Sequence, residues 1–321
     1  MEQVPAIFGD VAALALGACV GSFAVTVAYR LPRDISIATP RSFCESCERP
    51  VPWWANIPIF AYLASRGRCL MCGAPILARH LGGELALALA ALYLYANFPL
   101  GDAISRFIFI TALLISSLVD YDWRLIPNLI TFPGVPVGFV LAAMFMPEVG
   151  WKSSLIGITA GGGVLFVTGF FYQMVRGQEG VGLGDVFLLA MVGAFIGWQG
   201  VLFTLFFGAL LGSVGGLAVG LFGTPRNAPE LPPSAREVAA APVPATPSVA
   251  GAQTSAAAAA VLQTDAAAAL SIDLQAPDSA AAESEEHTLL ATAVPFGPFL
   301  SAAAGFYTLF QPQLTSWYLS R

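Results

Sequence analysis

The sequence predicts an all-α polytopic membrane protein, with about eight transmembrane helices and one small polar loop domain. Three observations predict it. The 321 residues are 57% hydrophobic and only 11% charged, with a mean hydropathy of +0.74, whereas soluble domains carry about 25% charge. The apolar residues fall in runs close to the roughly 20 residues that span a bilayer as helix. The charged residues gather between those runs. A net charge of −6 and a pI near 4.9 argue against a nucleic-acid-binding module, which needs a basic surface. No nucleic-acid partner is expected.

The predicted spans, in order, are 5–28, 82–99, 104–121, 129–147, 153–175, 186–198, 200–222 and 296–318. The sixth is short, so 185–222 reads either as a hairpin or as a broken helix. No basic residue precedes Arg30. The first run therefore lacks the positive flank of a secretory signal and is expected to be retained. Orientation follows the excess of Lys and Arg on the cytoplasmic side. Seven of the 14 basic residues lie in the loop after span 1. With that loop inside, alternation adds Arg124, Arg176, Arg226 and Arg236, and leaves only Arg106, Lys152 and Arg321 outside. Both termini are then expected to face out.

The domain reading is a first span (1–29), a cytoplasmic cysteine loop (30–80), a membrane core (81–223), a linker (224–291) and a last span (292–321). The linker is rich in Ala, Pro, Ser and Thr and has no aromatic residue. Such a composition buries too little apolar area to offset its ordering entropy, so it is expected to be a disordered cytoplasmic tether. No internal repeat is evident.

The loop carries Cys44-x-x-Cys47 and Cys69-x-x-Cys72, 21 residues apart. Each pair places two sulfurs on one tight turn, and two turns complete a tetrahedron of thiolates that suits zinc. The loop has little core of its own, so metal binding would supply much of its folding energy. A thiol–disulfide role or unbound surface cysteines are the alternatives. A reducing cytoplasm disfavours stable disulfides. Cys19, in an apolar run, reads as a small buried side chain.

Carboxylates at membrane depth are costly, and are functional candidates for that reason. Asp120 ends the run 107–119 and opens Asp-Tyr-Asp-Trp-Arg-Leu-Ile-Pro-Asn. Asp185 closes Gly182-Leu183-Gly184-Asp185 and opens the next apolar run. The orientation puts both at the cytoplasmic edge. Two carboxylates brought together share a proton, so one can draw a proton from water while the other polarises a peptide carbonyl. Read singly, Asp120 is an interfacial helix end and Asp185 an N-cap. Asp122 competes with Asp120, but the two side chains point about 200° apart on a helix, so one of them faces the pair. Gly182 and Gly184 would let backbone approach a substrate strand.

Together these residues resemble the type IV prepilin peptidases, bacterial membrane aspartic proteases of the G-x-G-D class. The resemblance runs through Gly21-Ser22-Phe23, Tyr29-Arg30-Leu31-Pro32, both cysteine pairs, Trp53-x-x-Asn56-Ile57-Pro58, and Arg79 with Glu84. It continues through Asp120 to Ile126-Pro127-Asn128, Glu179-Gly180 to Val186, and Pro295 to Leu300. It implies that Asp120 and Asp185 are the catalytic pair, Asp120 being chosen because it lies seven residues before Pro127. It also implies that type IV prepilins and pseudopilins are the substrates. Their short basic leader would be cut on the cytoplasmic side of the bacterial inner membrane. Many members then N-methylate the new terminus with S-adenosylmethionine, and the cysteine loop is characteristic of those members.

The chain departs from the family at Ala24-Val25, where Leu-Asn is usual, and at Phe187, where lysine is common. The 224–291 segment is longer than usual. Of the remaining polar residues, Glu84 reads as a partner of an arginine such as Arg79 or as a lining of the active or methyl-transfer site. Asn56 reads as a turn or binding residue. His80 is expected at the interface rather than on a metal, and His287 falls in the linker. Trp53, Trp54, Trp123 and Trp198 suit the interfacial belt. Two other classes compete: a cation transporter using the two aspartates, disfavoured because transport sites lie near the midplane, and a non-catalytic assembly scaffold docking through the cysteine loop.

Overall fold

The computed structural model describes residues 3–39, 41–176, 182–222 and 296–319. The segment 224–291, His287, Arg226, Arg236, Arg321 and the Glu179-Gly180 stretch lie outside the described residues. The helices are α1 (Gln3–Arg30), α2 (Phe60–Ala64), α3 (Ala78–Asn97), α4 (Leu100–Trp123), α5 (Asn128–Phe145), α6 (Gly150–Arg176), α7 (Leu183–Phe222) and α8 (Gly297–Leu319). Short 3-10 turns cover Leu31–Arg33 and Trp53–Asn56. No strand element occurs among the described residues, only two isolated bridges.

Five described segments are long and apolar enough to cross a membrane: Ile7–Arg33, α4, α5, α6 and Leu183–Ala218. The chain is a multi-pass membrane protein. α3 and α8 complete the bundle, packing on α1 and on α4 and α7 respectively.

α7 settles the ambiguity of 185–222. Gly197 is non-helical, with φ 71° and ψ −178°, a left-handed conformation that glycine adopts at little cost. It divides α7 into arms at 183–196 and 198–222, where the sixth and seventh spans were expected. The first arm lies along α6, with Ser154 donating its hydroxyl to the Ala194 carbonyl at 2.7 Å. The second arm meets the start of α8, Gly208 lying against Leu300 and Gly215 against Phe299.

α4 belongs to two cores. Its Phe109 and Leu113 join Leu188, Leu189, Met191, Val192, Phe195 and Ile196 of α7 and Leu300, Ala304 and Tyr307 of α8. Its Ile115 and Val119 join Ala24, Val27 and Ala28 of α1 and Leu87 of α3. Burying a large aliphatic or aromatic side chain contributes about 1.5–3 kcal/mol, so α4 is fixed from both sides. Ala24 and Val25 are fully buried, which accounts for apolar residues at this departure from the family pattern.

Arg106, counted in the orientation reading among the three basic residues on the outer side, is completely buried among the helices. The buried Asp102, one turn earlier, accepts from its Nε at 2.7 Å. The pair is i,i+4 on one helix face, which allows a cation to be buried without standing alone.

Candidate active site and metal centre

The cysteine segment is built twice. Cys44 N–H donates to the Arg49 carbonyl at 3.0 Å, and Cys69 N–H to the Ala74 carbonyl at 2.8 Å. Glu48 N–H donates to Cys44, and Gly73 N–H to Cys69, both at 2.8 Å. Bridges pair Phe43 with Pro50 and Arg68 with Pro75. Glu48 and Gly73 each take a positive φ, 55° and 74°. The second turn therefore repeats the first 25 residues later, a repeat too short and too diverged in side chains to be evident in sequence.

The four Sγ atoms of Cys44, Cys47, Cys69 and Cys72 all lie within 4.8 Å of one another. Cys44 and Cys72 are 3.9 Å apart. A tetrahedral zinc with bonds of about 2.3 Å requires sulfurs roughly 3.8 Å apart, so the donor set fits zinc in both chemistry and spacing. The backbone N–H groups of Met71 and Cys72 hold the Cys69 thiol down to about 7, which favours the thiolate a metal needs. His80 is not part of this set. Its Nε2 lies 3.9 Å from Glu45 Oε1, as expected of an interfacial residue. That imidazole and the charges of Arg79 and Arg33 hold the Glu45 carboxyl below its ordinary range, against the opposing effect of its partial burial. Cys19, expected to be buried, is exposed on its helix.

The cysteine segment encloses a cavity of about 550 Å³ with α1 and α3. Ser22, Tyr29, Asn56, Tyr62, His80 and Glu84 are among its lining residues. Asn56 is thus both a turn residue, closing Trp53–Asn56, and a cavity residue. Glu84 is 6% exposed and does not pair with Arg79. Its carboxylate accepts the Ile59 N–H at 2.6 Å. Ile59 has φ 65° and ψ −55°, and Phe60 N–H donates to the Pro58 carbonyl across it at 2.6 Å. This is a γ-turn in the hand that is rare and strained. A β-branched residue in that conformation was not legible from sequence.

Arg79 reaches elsewhere. It pairs with Asp122 and lies 4.0 Å from Glu45, so it ties the end of α4 to the first cysteine turn. Asp122 therefore turns toward α3. Asp120 turns into the bundle, where it is 6% exposed. Its Oδ2 accepts the Gly297 N–H at 2.9 Å. Ile126, just past α4, packs on Gly184 beside Asp185, which brings the end of α4 close to the start of α7, while Asp122 turns away to Arg79.

Two loops set this geometry. Arg124 takes φ 55° and caps α4 by donating its N–H to the Asp120 carbonyl at 2.8 Å. The chain then places Ile126 against Gly184, where a Cβ would come within 2.9 Å of the isoleucine Cβ. Gly184 serves helix-to-loop packing rather than substrate approach, whereas the space over Gly182 is open save for the Asp185 carboxylate. Asp185 is in the first turn of α7 and not its N-cap, its N–H donating to the Gly182 carbonyl at 3.1 Å. At Gly297 a Cβ would fall 2.6 Å from Asp120 Oδ2, so only glycine brings the backbone this close. Gly297 had been noted only as part of a motif, because its neighbour is 177 residues away. Phe187 packs edge-on against Phe132, with ring centroids 5.3 Å apart, so this position faces α5.

Known proteins resemble the chain along its length. Residues 15–98 match the bacterial peptidase A24 N-terminal domain, and residues 107–217 match the type IV leader peptidase family. A prepilin leader peptidase/N-methyltransferase of Myxococcus xanthus is 30% identical over 98% of this chain and 95% of its own length. Proteins of the same description from Burkholderia pseudomallei and Klebsiella pneumoniae are 34% and 33% identical, over 67% and 61% of this chain and 76% and 89% of theirs. No solved structure matches the chain significantly. A carboxylate at the end of α4 and another at the start of α7, a four-cysteine cluster and these relatives lead to one conclusion: the chain belongs to the type IV leader peptidase family.

Proposed function

We propose that the protein is a membrane aspartic endopeptidase that removes the short basic leader of type IV prepilins and pseudopilins. The observation that carries this reading is the buried Asp120 carboxylate accepting the Gly297 N–H, with Asp185 in the first turn of α7, whose Gly184 packs on the loop after α4. One carboxylate, ionised, takes a proton from water as the oxygen attacks the scissile carbonyl carbon. The other, protonated, donates to the carbonyl oxygen. Collapse of the tetrahedral species breaks the C–N bond, and the departing amine takes up a proton. The leader leaves as a carboxylate and the mature chain keeps a new amino terminus. No nucleophilic side chain is required.

The position of the pair supports this chemistry over transport. Both aspartates sit at helix ends, where water reaches the bond, while a prepilin's apolar helix stays in the lipid. The excess of arginine in the cysteine loop and after α4 supports a cytoplasmic site in the bacterial inner membrane. The domain division follows: a first span (1–29), the cysteine loop (30–80), the protease core (81–223), a tether (224–291) and a last span (292–321). Zinc on Cys44, Cys47, Cys69 and Cys72 would fasten the two turns that wall the cavity.

We assign the cavity to the second activity in the relatives' description, N-methylation. Its volume lies within the range for cofactor sites. Tyr29, Phe43 and Trp54 offer aromatic faces for an adenine, and Glu45 and Glu84 offer carboxylates toward a cation. S-adenosylmethionine, when bound, would supply the methyl group on a cationic sulfur. These residues would position it and the acceptor amine.

Co-expression of a prepilin with Asp120→Asn or Asp185→Asn protein tests the peptidase reading. Precursor is expected to accumulate on a gel while the variants insert normally. Full maturation by both would favour the scaffold alternative. Labelled S-adenosylmethionine supplied with mature substrate tests the second activity.

A further inference from the structure

Arg106 lies at the end of α4 remote from Asp120, and neither of the proposed reactions uses it. Its side chain is completely buried. Beyond Asp102, its Nη1 donates to the Thr308 carbonyl at 2.7 Å and to Gln311 Oε1 at 3.0 Å, both on α8. Glu148, before α6, lies 3.5 Å from Nη2. The guanidinium sits 4.3 Å over the Phe98 ring.

The spacing carries the argument. Fourteen residues separate Arg106 from Asp120 on α4, and fourteen separate Gly297 from Gln311 on α8. At about 1.5 Å per residue both intervals are near 21 Å. The helices run antiparallel, because Asp120 meets Gly297 at one end and Arg106 meets Gln311 at the other. Between these contacts the facing residues include Phe109, Leu113, Leu300, Ala304 and Tyr307. Apolar contacts are non-directional, so this surface alone discriminates weakly against an axial slide. A buried guanidinium that slides off its acceptors loses charge-assisted hydrogen bonds it cannot replace in an apolar interior.

We propose that Arg106 is a positioning residue: it fixes the axial register of α8 against α4 and thereby holds the Gly297 N–H on Asp120. This rests on the peptidase reading for its consequence but not for its geometry. Asp102 fixes the guanidinium on its own helix, Thr308 and Gln311 receive it from the other, and the far end of the pair then presents Gly297 to the carboxylate.

The test measures register directly. Spin labels are placed at Leu125→Cys, just past α4, and at Phe296→Cys, just before α8, in a Cys19→Ser, zinc-loaded protein. The interspin distance is read with and without the paired substitution Asp102→Leu with Arg106→Met, which removes both charges together. The proposal predicts a displaced or broadened distance. It also predicts kcat for leader removal lowered roughly 10- to 100-fold, with KM changed less than about twofold. An unchanged distance overturns it. Should the paired variant fail to insert, Gln311→Leu carries the same prediction with a smaller displacement, and an unchanged distance there overturns the proposal too. The outcomes separate the two readings. A displaced register in an enzyme that still cleaves after Asp120→Asn supports the positioning role and removes the peptidase assignment. An unmoved register with Asp120 essential does the reverse.

Discussion

The cysteine turns and the aspartate site hold their chemistry in opposite ways. Each cysteine turn closes within about eight residues by its own backbone hydrogen bonds, and the second copies the first. The aspartate site has no local scaffold. Its parts come from α4, α7 and α8, and the N–H on Asp120 comes from 177 residues away. The first is a module that a metal can complete. The second exists only when the whole bundle packs, which is why α4 is buried in two cores while the cysteine sulfurs sit near the surface. Perturbations should therefore separate them: bundle changes act on proteolysis, and cysteine changes act on metal content and on the cavity.

The largest separation is expected from the aspartates. Asp120→Asn or Asp185→Asn should lower leader removal by about 10²–10⁴-fold, the range for losing a general acid or base, with zinc content unchanged by metal analysis. Replacing Cys44 or Cys69 by serine should do the converse. Bound zinc should fall from about one per chain to near zero, and limited proteolysis should open the loop between α1 and α3. Acid should act in the same direction more gently. Metal binding needs thiolates, so protons compete for them as pH falls. Release of zinc to a chelator should therefore quicken as pH falls. A pH-independent release rate would argue against a four-thiolate site.

Smaller effects sharpen the boundary between the two regions. Arg79 bridges them through Asp122 and Glu45, and both partners of the Arg79–Asp122 pair are about one-fifth exposed. A double-mutant cycle on that pair should give a coupling of about 1 kcal/mol in stability. Asp122→Asn alone should leave proteolysis within a few-fold of the parent, in contrast to its neighbour. The smallest effect is expected from replacing 224–291 with a short linker, since its composition offers no packed surface. The cleavage rate should stay within about twofold.

The same contrast explains what could be read from the chain. The four cysteines were legible because C-x-x-C is a local pattern with a fixed geometric meaning. The long spans were legible from apolar runs, and the hairpin-or-break ambiguity at 185–222 reduced to one glycine. Asp120 and Asp185 stood out as carboxylates at span ends. Choosing Asp120 over Asp122 needed a family resemblance, whereas in the fold it follows from the partner Arg79 offers to Asp122. Of the two readings of Glu84, partner of Arg79 or lining of a site, the fold shows the second, and adds a bond to the Ile59 N–H that was not legible because the strained turn at Ile59 leaves no trace in composition or periodicity. Arg106 was read only for the side of the membrane it lies on, and its burial was not foreseen. A lone arginine in an apolar helix shows its burial only when Asp102 one turn before it and Gln311 on a distant helix are placed beside it. Long-range polar contacts are what a single sequence withholds.

The central claim is that Asp120 and Asp185 work as one catalytic unit. It is tested most directly by initial rates of prepilin cleavage for each single asparagine variant and for the double variant, in protein confirmed to be inserted and zinc-loaded. Groups that act together are non-additive, so the double variant should be no slower than either single one. Losses that multiply, or a single variant that cleaves at the parental rate, would contradict the account.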